Sequence, residues 1–165
     1  MNPTSPVNFL ENRIKIFPIA LSNVKNMFLT MKEGDFIEGG ALSSFGVDYD
    51  YQGKNFSAKM KYKLFGTNID YLIENNFLEI PDYIKIDVDG IEHLILEGGS
   101  NHLKNKKIKS ISIEINEDFN KQLEKVSHFM SNNKFKFLYK KHNKDMLFEG
   151  SKFSKTFNYI YIKQN

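Results

Sequence analysis

One stretch near the middle of the chain constrains the fold more than any other: Tyr83-Ile84-Lys85-Ile86-Asp87-Val88-Asp89-Gly90-Ile91-Glu92-His93-Leu94-Ile95-Leu96-Glu97-Gly98-Gly99. An apolar run of strand length, Tyr83 to Val88, is broken by Asp87, Asp89 and Gly90. Ile91, Leu94 and Ile95 follow at spacings that share one face of a helix. The pair Gly98-Gly99 then predicts a helix stop. Strand, acidic turn, helix and glycine stop make half of a βαβ unit. Its carboxylates fall at the carboxyl end of the strand, the edge where open α/β sheets bind ligands.

The rest of the chain can be read around that unit. Residues 1–12 are polar, with Pro3 and Pro6, and predict a loose leading segment. Arg13 to Ile19 predicts a strand that closes at Pro18-Ile19-Ala20-Leu21-Ser22-Asn23. Val24 to Met31 predicts another, with Met27, Leu29 and Met31 on one side. Residues 33–57 hold Gly34, Gly39, Gly40, Gly46 and Gly53, and such a long loop predicts a lid or flexible segment. Ala58 to Phe65 alternates apolar residues with Lys59, Lys61 and Lys63, a half-exposed strand whose lysines protect an edge. Thr67-Asn68-Ile69-Asp70 predicts a capping box, with a helix running to Asn75-Asn76. Pro81 then hands over to the central strand.

Beyond Gly99, the lysine-rich residues 101–109 predict a solvated turn. Ser110 to Ile115 is a second buried-type strand that ends in Glu114 and Ile115. Asp118 to Met130 predicts an amphipathic helix with Phe119, Leu123, Val126 and Met130 on one face. Phe135 to Tyr139 and Phe157 to Ile162 predict strands either side of a polar loop. The alternation predicts an α/β fold: a mainly parallel sheet with helices on both faces. No helix precedes the last strand, so it is expected to pair antiparallel. No domain boundary is visible, and residues 1–165 read as one domain.

Composition excludes several classes. There is no cysteine, so thiolate metal sites, thiol nucleophiles and disulfides are ruled out. The formal charge is +3 and rests on lysine, with Arg13 the only arginine. Sequence readers of nucleic acid depend on arginine forks, so no nucleic-acid partner is expected. No apolar run approaches the roughly 18 residues that would span a bilayer. The first residues lack the basic flank and apolar stretch of a signal peptide, so no membrane partner and a cytoplasmic location are expected.

The chemistry-bearing residues are Asp87, Asp89 and Glu92, with Glu114 one strand later. Such carboxylates can hold a divalent cation, accept hydrogen bonds from a ligand's hydroxyls, or act as a general base. Alone, Asp89 reads best as a turn residue and Glu92 as a helix-start acid. The four histidines show no metal-ligand spacing, and no metal is expected. No Gly-x-Ser-x-Gly elbow supports a hydrolase.

Ile84-Lys85-Ile86-Asp87-Val88-Asp89-Gly90-x-Glu92-x-x-x-Leu96-x-Gly98 resembles the signature K-I-D-V-E-G-x-E-x-x-x-L-x-G of the FkbM family of S-adenosylmethionine-dependent methyltransferases, with Asp89 in place of a Glu. Pro18 to Asn23 resembles that family's upstream segment, and Ile111 to Ile115 its next strand. The resemblance implies a Rossmann-like methyltransferase sheet with an antiparallel last strand. It implies methyl transfer from S-adenosylmethionine to a small-molecule hydroxyl, on a sugar or natural product. It further implies Asp87, Glu92 and Glu114 as catalytic residues, and Ala20, Leu21, Ser22 and Asp87 as cofactor-binding residues. The family's glycine-rich cofactor turn has no counterpart before Ala20, since residues 1–19 hold no glycine. The chain is therefore expected to lack the first two strands, and to pair with a complementing N-terminal half or with another copy of itself.

Rival readings are a non-catalytic methyltransferase-like module and a metal-dependent glycosyltransferase using Asp87-x-Asp89. Asp87-Val88-Asp89-Gly90 also resembles a phosphatase nucleophile motif, but no Gly-Asp pair follows it in residues 91–165.

Overall fold

The computed structural model describes residues 13–34, 42–142 and 150–164. The leading segment 1–12, the Gly39-Gly40 part of the glycine-rich stretch and positions 143–149 of the polar loop lie outside the described residues. Within them, the chain forms β1 (Ala20–Leu21), β2 (Met27–Glu33), β3 (Ser44–Phe45), β4 (Met60–Thr67), α1 (Ile69–Glu74), β5 (Tyr83–Ile86), α2 (Glu92–Glu97), β6 (Ser110–Asn116), α3 (Asn120–Asn132), β7 (Phe135–Lys141) and β8 (Thr156–Lys163).

The central unit folds as its pattern predicts. Tyr83–Ile86 runs parallel to Ser110–Ile113, and the acidic turn leads into α2. Gly90 sits at φ +98°, a backbone that side-chain-bearing residues rarely adopt. Gly98 serves a different purpose. Its φ is −70°, ordinary for a helix, but a Cβ there would lie 2.2 Å from the Ser22 carbonyl oxygen and 2.8 Å from the Asn68 Cβ. It is a glycine because three elements meet over it, rather than because the helix needs a left-handed stop.

The strands divide into two four-stranded sheets, ordered β1-β4-β2-β3 and β5-β6-β8-β7. The expectation of one mainly parallel sheet is thereby corrected: only β1–β4 and β5–β6 pair parallel among the described residues, while β2 pairs antiparallel with both β3 and β4. The physical reason lies in the first half of the chain. Among the described residues no helix lies between β2 and β4, so the helical crossover that usually joins parallel neighbours is missing there. The last strand does run antiparallel, and it inserts between β6 and β7, bonded to both.

Other local expectations shift as well. Arg13–Ile19 forms no strand, and Ile14, Ile16 and Phe17 are exposed: their alternation has no sheet to face. The first residue of the proposed capping box is not the cap. Asn68 accepts the Tyr71 N–H at 2.8 Å, while Thr67 donates its hydroxyl to Asn26 at 2.8 Å. Asp70 turns away from its own helix and accepts the N–H groups of Asn101 and His102. Lys61 and Lys63 do lie on a stretch of β4 with a strand on one side only among the described residues, because β1 reaches just Gly66 and Thr67.

The core sits between the second sheet and its helices. Ile111, Ile113 and Ile115 are fully buried on one face of β6, and Ile95, Leu96, Val126 and Met130 join them from α2 and α3. Each such isoleucine contributes about 1.5–3 kcal/mol of burial. The alternate face of β6, with Ser112 and Glu114, is left for the site.

Candidate active site

A cavity of about 1270 Å³ lies between the two sheets. β1 contributes Ala20 and Leu21, β2 Met31 and β3 Phe45, facing Lys85 and Ile86 of β5 across the space. The second sheet carries the wall onward through Ser112 and Glu114 of β6, Asn158 and Ile160 of β8, and Tyr139 and Lys141 of β7. β5 has no strand on its outer side among the described residues, so its free edge opens to the cavity as well.

Asp87 and Asp89 line this cavity in the turn just beyond β5. Asp87 is exposed and pairs with the Lys85 ammonium. Its neighbour across the sheet is Glu114, because Ile86 pairs with Ile113 one residue earlier on each strand. Burial pushes the Glu114 carboxyl up to about 7, and the charge of Asp87 and a hydrogen bond shared with it push in the same direction. Two carboxyl groups side by side in a partly dry wall resist both being ionised, so one holds a proton near neutrality.

Asp89 is more than a turn residue. Its Oδ2 accepts the backbone N–H groups of Leu42 at 2.7 Å and Ser43 at 3.0 Å, fixing those residues at the cavity rim. Burial raises its pKa, opposed by the same two hydrogen bonds. The neighbouring part of the glycine-rich stretch packs against the turn too: a Cβ on Gly90 would come within 3.0 Å of Asp50 O and Tyr51 Cα.

Glu92 and Ser22 are placed elsewhere. Glu92 is 1% exposed and does not line the cavity. Its Oε1 accepts the N–H groups of Val88 at 3.3 Å and Gly90 at 3.5 Å, and its Oε2 accepts the Gln122 amide from α3. Burial raises its pKa to about 8 despite those bonds. The carboxyl therefore braces the acidic turn from behind. Ser22, buried as well, donates its N–H to Thr67 O at 3.0 Å and lies off the cavity wall. Ala20, Leu21, Asp87 and Glu114 are thus brought to one cavity, whereas Ser22 and Glu92 lie off its wall.

His93 is buried between Tyr49 and Phe119, and burial lowers its pKa to about 4. Among the described residues, no three His, Asp or Glu side chains could hold a metal ion together. No helix of the described residues is long and apolar enough to cross a membrane.

Gln122, Asn158 and Lys141 were not singled out from the sequence. Gln122 had one available signal, a polar residue between the apolar positions of an amphipathic helix. Asn158 interrupts an aromatic strand, Phe157-Asn158-Tyr159. Its relation to Glu114 depends on β8 inserting beside β6, which local pattern does not reveal.

The architecture is a mixed α/β arrangement of two sheets, with acidic groups at the carboxyl end of its parallel β5–β6 pair. Residues 63–139 match the family model of the Methyltransferase FkbM domain, a segment that runs from within β4 into β7 and contains the whole acidic turn. The match points to a methyltransferase and implies a methyl donor. No curated protein and no solved structure matches the chain.

Proposed function

We propose that the chain is an S-adenosylmethionine-dependent O-methyltransferase acting on a hydroxyl of a sugar or natural product. The observation that carries the reading is the Asp87–Glu114 pair on the wall of a large cavity, within a segment that matches a methyltransferase family. The cavity suits such a cofactor in two respects. Ala20, Leu21 and Ile69 offer an apolar wall for a purine, and the carboxylates beyond β5 offer acceptors for hydroxyl and ammonium groups. When bound, the cofactor supplies an electrophilic methyl group.

The protein's own groups then do three things. Asp87, held by Lys85, fixes the negative charge at the strand end and keeps the proton affinity of Glu114 high. Glu114, once ionised, accepts the proton of the acceptor hydroxyl; a base whose pKa lies near the working pH is effective in that role. Leu42 and Ser43, anchored by Asp89, border the reacting groups and limit access of water, and collinear placement of the acceptor follows from the same wall.

The test is transfer of label from methyl-labelled S-adenosylmethionine to a panel of hexoses and hexuronates. Labelled ether product is expected from the native chain and a loss of about 10²–10⁴-fold in Glu114→Gln. Labelled product formed equally well by Glu114→Gln would remove Glu114 as the base.

A further inference from the structure

A row of polar side chains crosses the second sheet on the cavity wall. Glu114 on β6 pairs in register with Asn158 on β8, and Asn158 pairs with Lys141 on β7. Asp87 extends the row beyond Glu114. All four line the cavity. The register shift between Phe137 and Tyr139 matters here, because it puts Tyr139 and Lys141 on the same face as Ile160 and Asn158.

The two ends of the row differ in charge. Asp87, Asp89 and Glu114 make one end acidic. At the other end Lys141 is exposed and forms no ion pair with the described residues. Between them stands the side-chain amide of Asn158, whose Oδ1 is buried and has no partner. A buried acceptor left without a donor is costly, and the residue that carries this one lines the cavity. Two neighbouring strand gaps separate Glu114 from Lys141, about 10 Å between backbones. A lysine side chain reaching inward brings that span to the size of one sugar ring.

We infer that this row is the acceptor subsite, and that it takes a polyhydroxylated anion such as a sugar carboxylate or sugar phosphate. The anionic group sits at Lys141, a ring hydroxyl bonds to the Asn158 amide, which turns to meet it, and the hydroxyl to be methylated faces Glu114. The inference rests on the methyl-transfer reading for the fate of that last hydroxyl, but not for binding. Asn158 and Lys141 are specificity-determining residues in this arrangement. A neutral sugar fills the same space without the charge-assisted contact, and an anion without hydroxyls leaves the Asn158 amide oxygen unsatisfied.

The experiment is an NMR titration of the full chain with glucuronate, with glucose and, separately, with S-adenosylmethionine. Glucuronate is expected to bind about tenfold more tightly than glucose, one charge-assisted contact being worth that much. Lys141→Gln, at an exposed position, should abolish the preference and leave glucose affinity unchanged. Asn158→Ala should weaken both sugars to a similar degree. Equal affinity for the two sugars, no binding of either, or a preference that survives in Lys141→Gln would overturn the inference. A uronate preference without binding of S-adenosylmethionine would instead uphold the subsite and overturn the methyl-transfer reading. Cofactor binding without the preference would do the reverse.

Discussion

Two carboxyls, buried Glu92 and half-buried Glu114, show how the same side chain is set to different tasks by its surroundings. Glu114 stands on the cavity wall beside Asp87, which helps to raise its pKa to about 7. Activity that needs Glu114 ionised should therefore fall on the acid side through about pH 7. Removing the neighbouring charge in Asp87→Asn lowers the proton affinity of Glu114, so that limb should move to lower pH. A rate–pH profile of both proteins checks the direction. Glu92 is raised to about 8 by burial. In the unfolded chain it ionises at the ordinary value, so between roughly pH 4.5 and 8 the folded state binds more protons than the unfolded one. Its contribution to stability is present below that window and is lost as pH rises through it. Glu92→Gln keeps a hydrogen-bonding side chain against Gln122 without the charge. The variant should melt at a higher temperature than the native chain at pH 8 and show a flatter stability slope from pH 5 to 8, as thermal denaturation would reveal. Both carboxyls were legible in the sequence as members of an acidic cluster. Their separation into wall and brace was not, because it depends on α3 bringing Gln122 behind the turn.

At the scale of elements, the unit from β5 to α2 was the most legible part, since strand, turn and helix each carry a local signal. The strand expected at Arg13–Ile19 failed because alternation only describes a face and cannot supply the partner it would meet. Gly98 teaches the same lesson from the other side. Its place after a helix predicts a conformational role, yet its φ is ordinary and its surroundings forbid a side chain. Gly98→Ala should therefore cost more than the ~1 kcal/mol expected of a conformational effect, in the range of ~1–3 kcal/mol found for overpacked sites. The added methyl would force apart the end of β1, the cap of α1 and the end of α2. A urea titration that found Gly98→Ala as stable as the native chain would contradict this packing.

For the whole molecule, the arrangement of two sheets explains why the site is where it is. The second sheet buries one face against α2 and α3 and leaves the other to the cavity, while the first sheet closes the far side through Ala20, Leu21, Met31 and Phe45. The carboxylates come from the long-range pairing of β5 with β6, and the Asn158–Lys141 end from insertion of β8. Neither sheet alone forms the cavity. On the methyl-transfer reading, this cavity binds a methyl donor through the acidic end of β5. The most direct test is calorimetric titration of the folded chain with S-adenosylmethionine, repeated on Asp87→Ala. Saturable one-to-one binding is expected of the native chain, lost or weakened at least about tenfold in the variant, as when a charge-assisted contact is removed. A folded native chain that takes up no S-adenosylmethionine, or a variant that binds it as tightly as the native chain, would contradict the account.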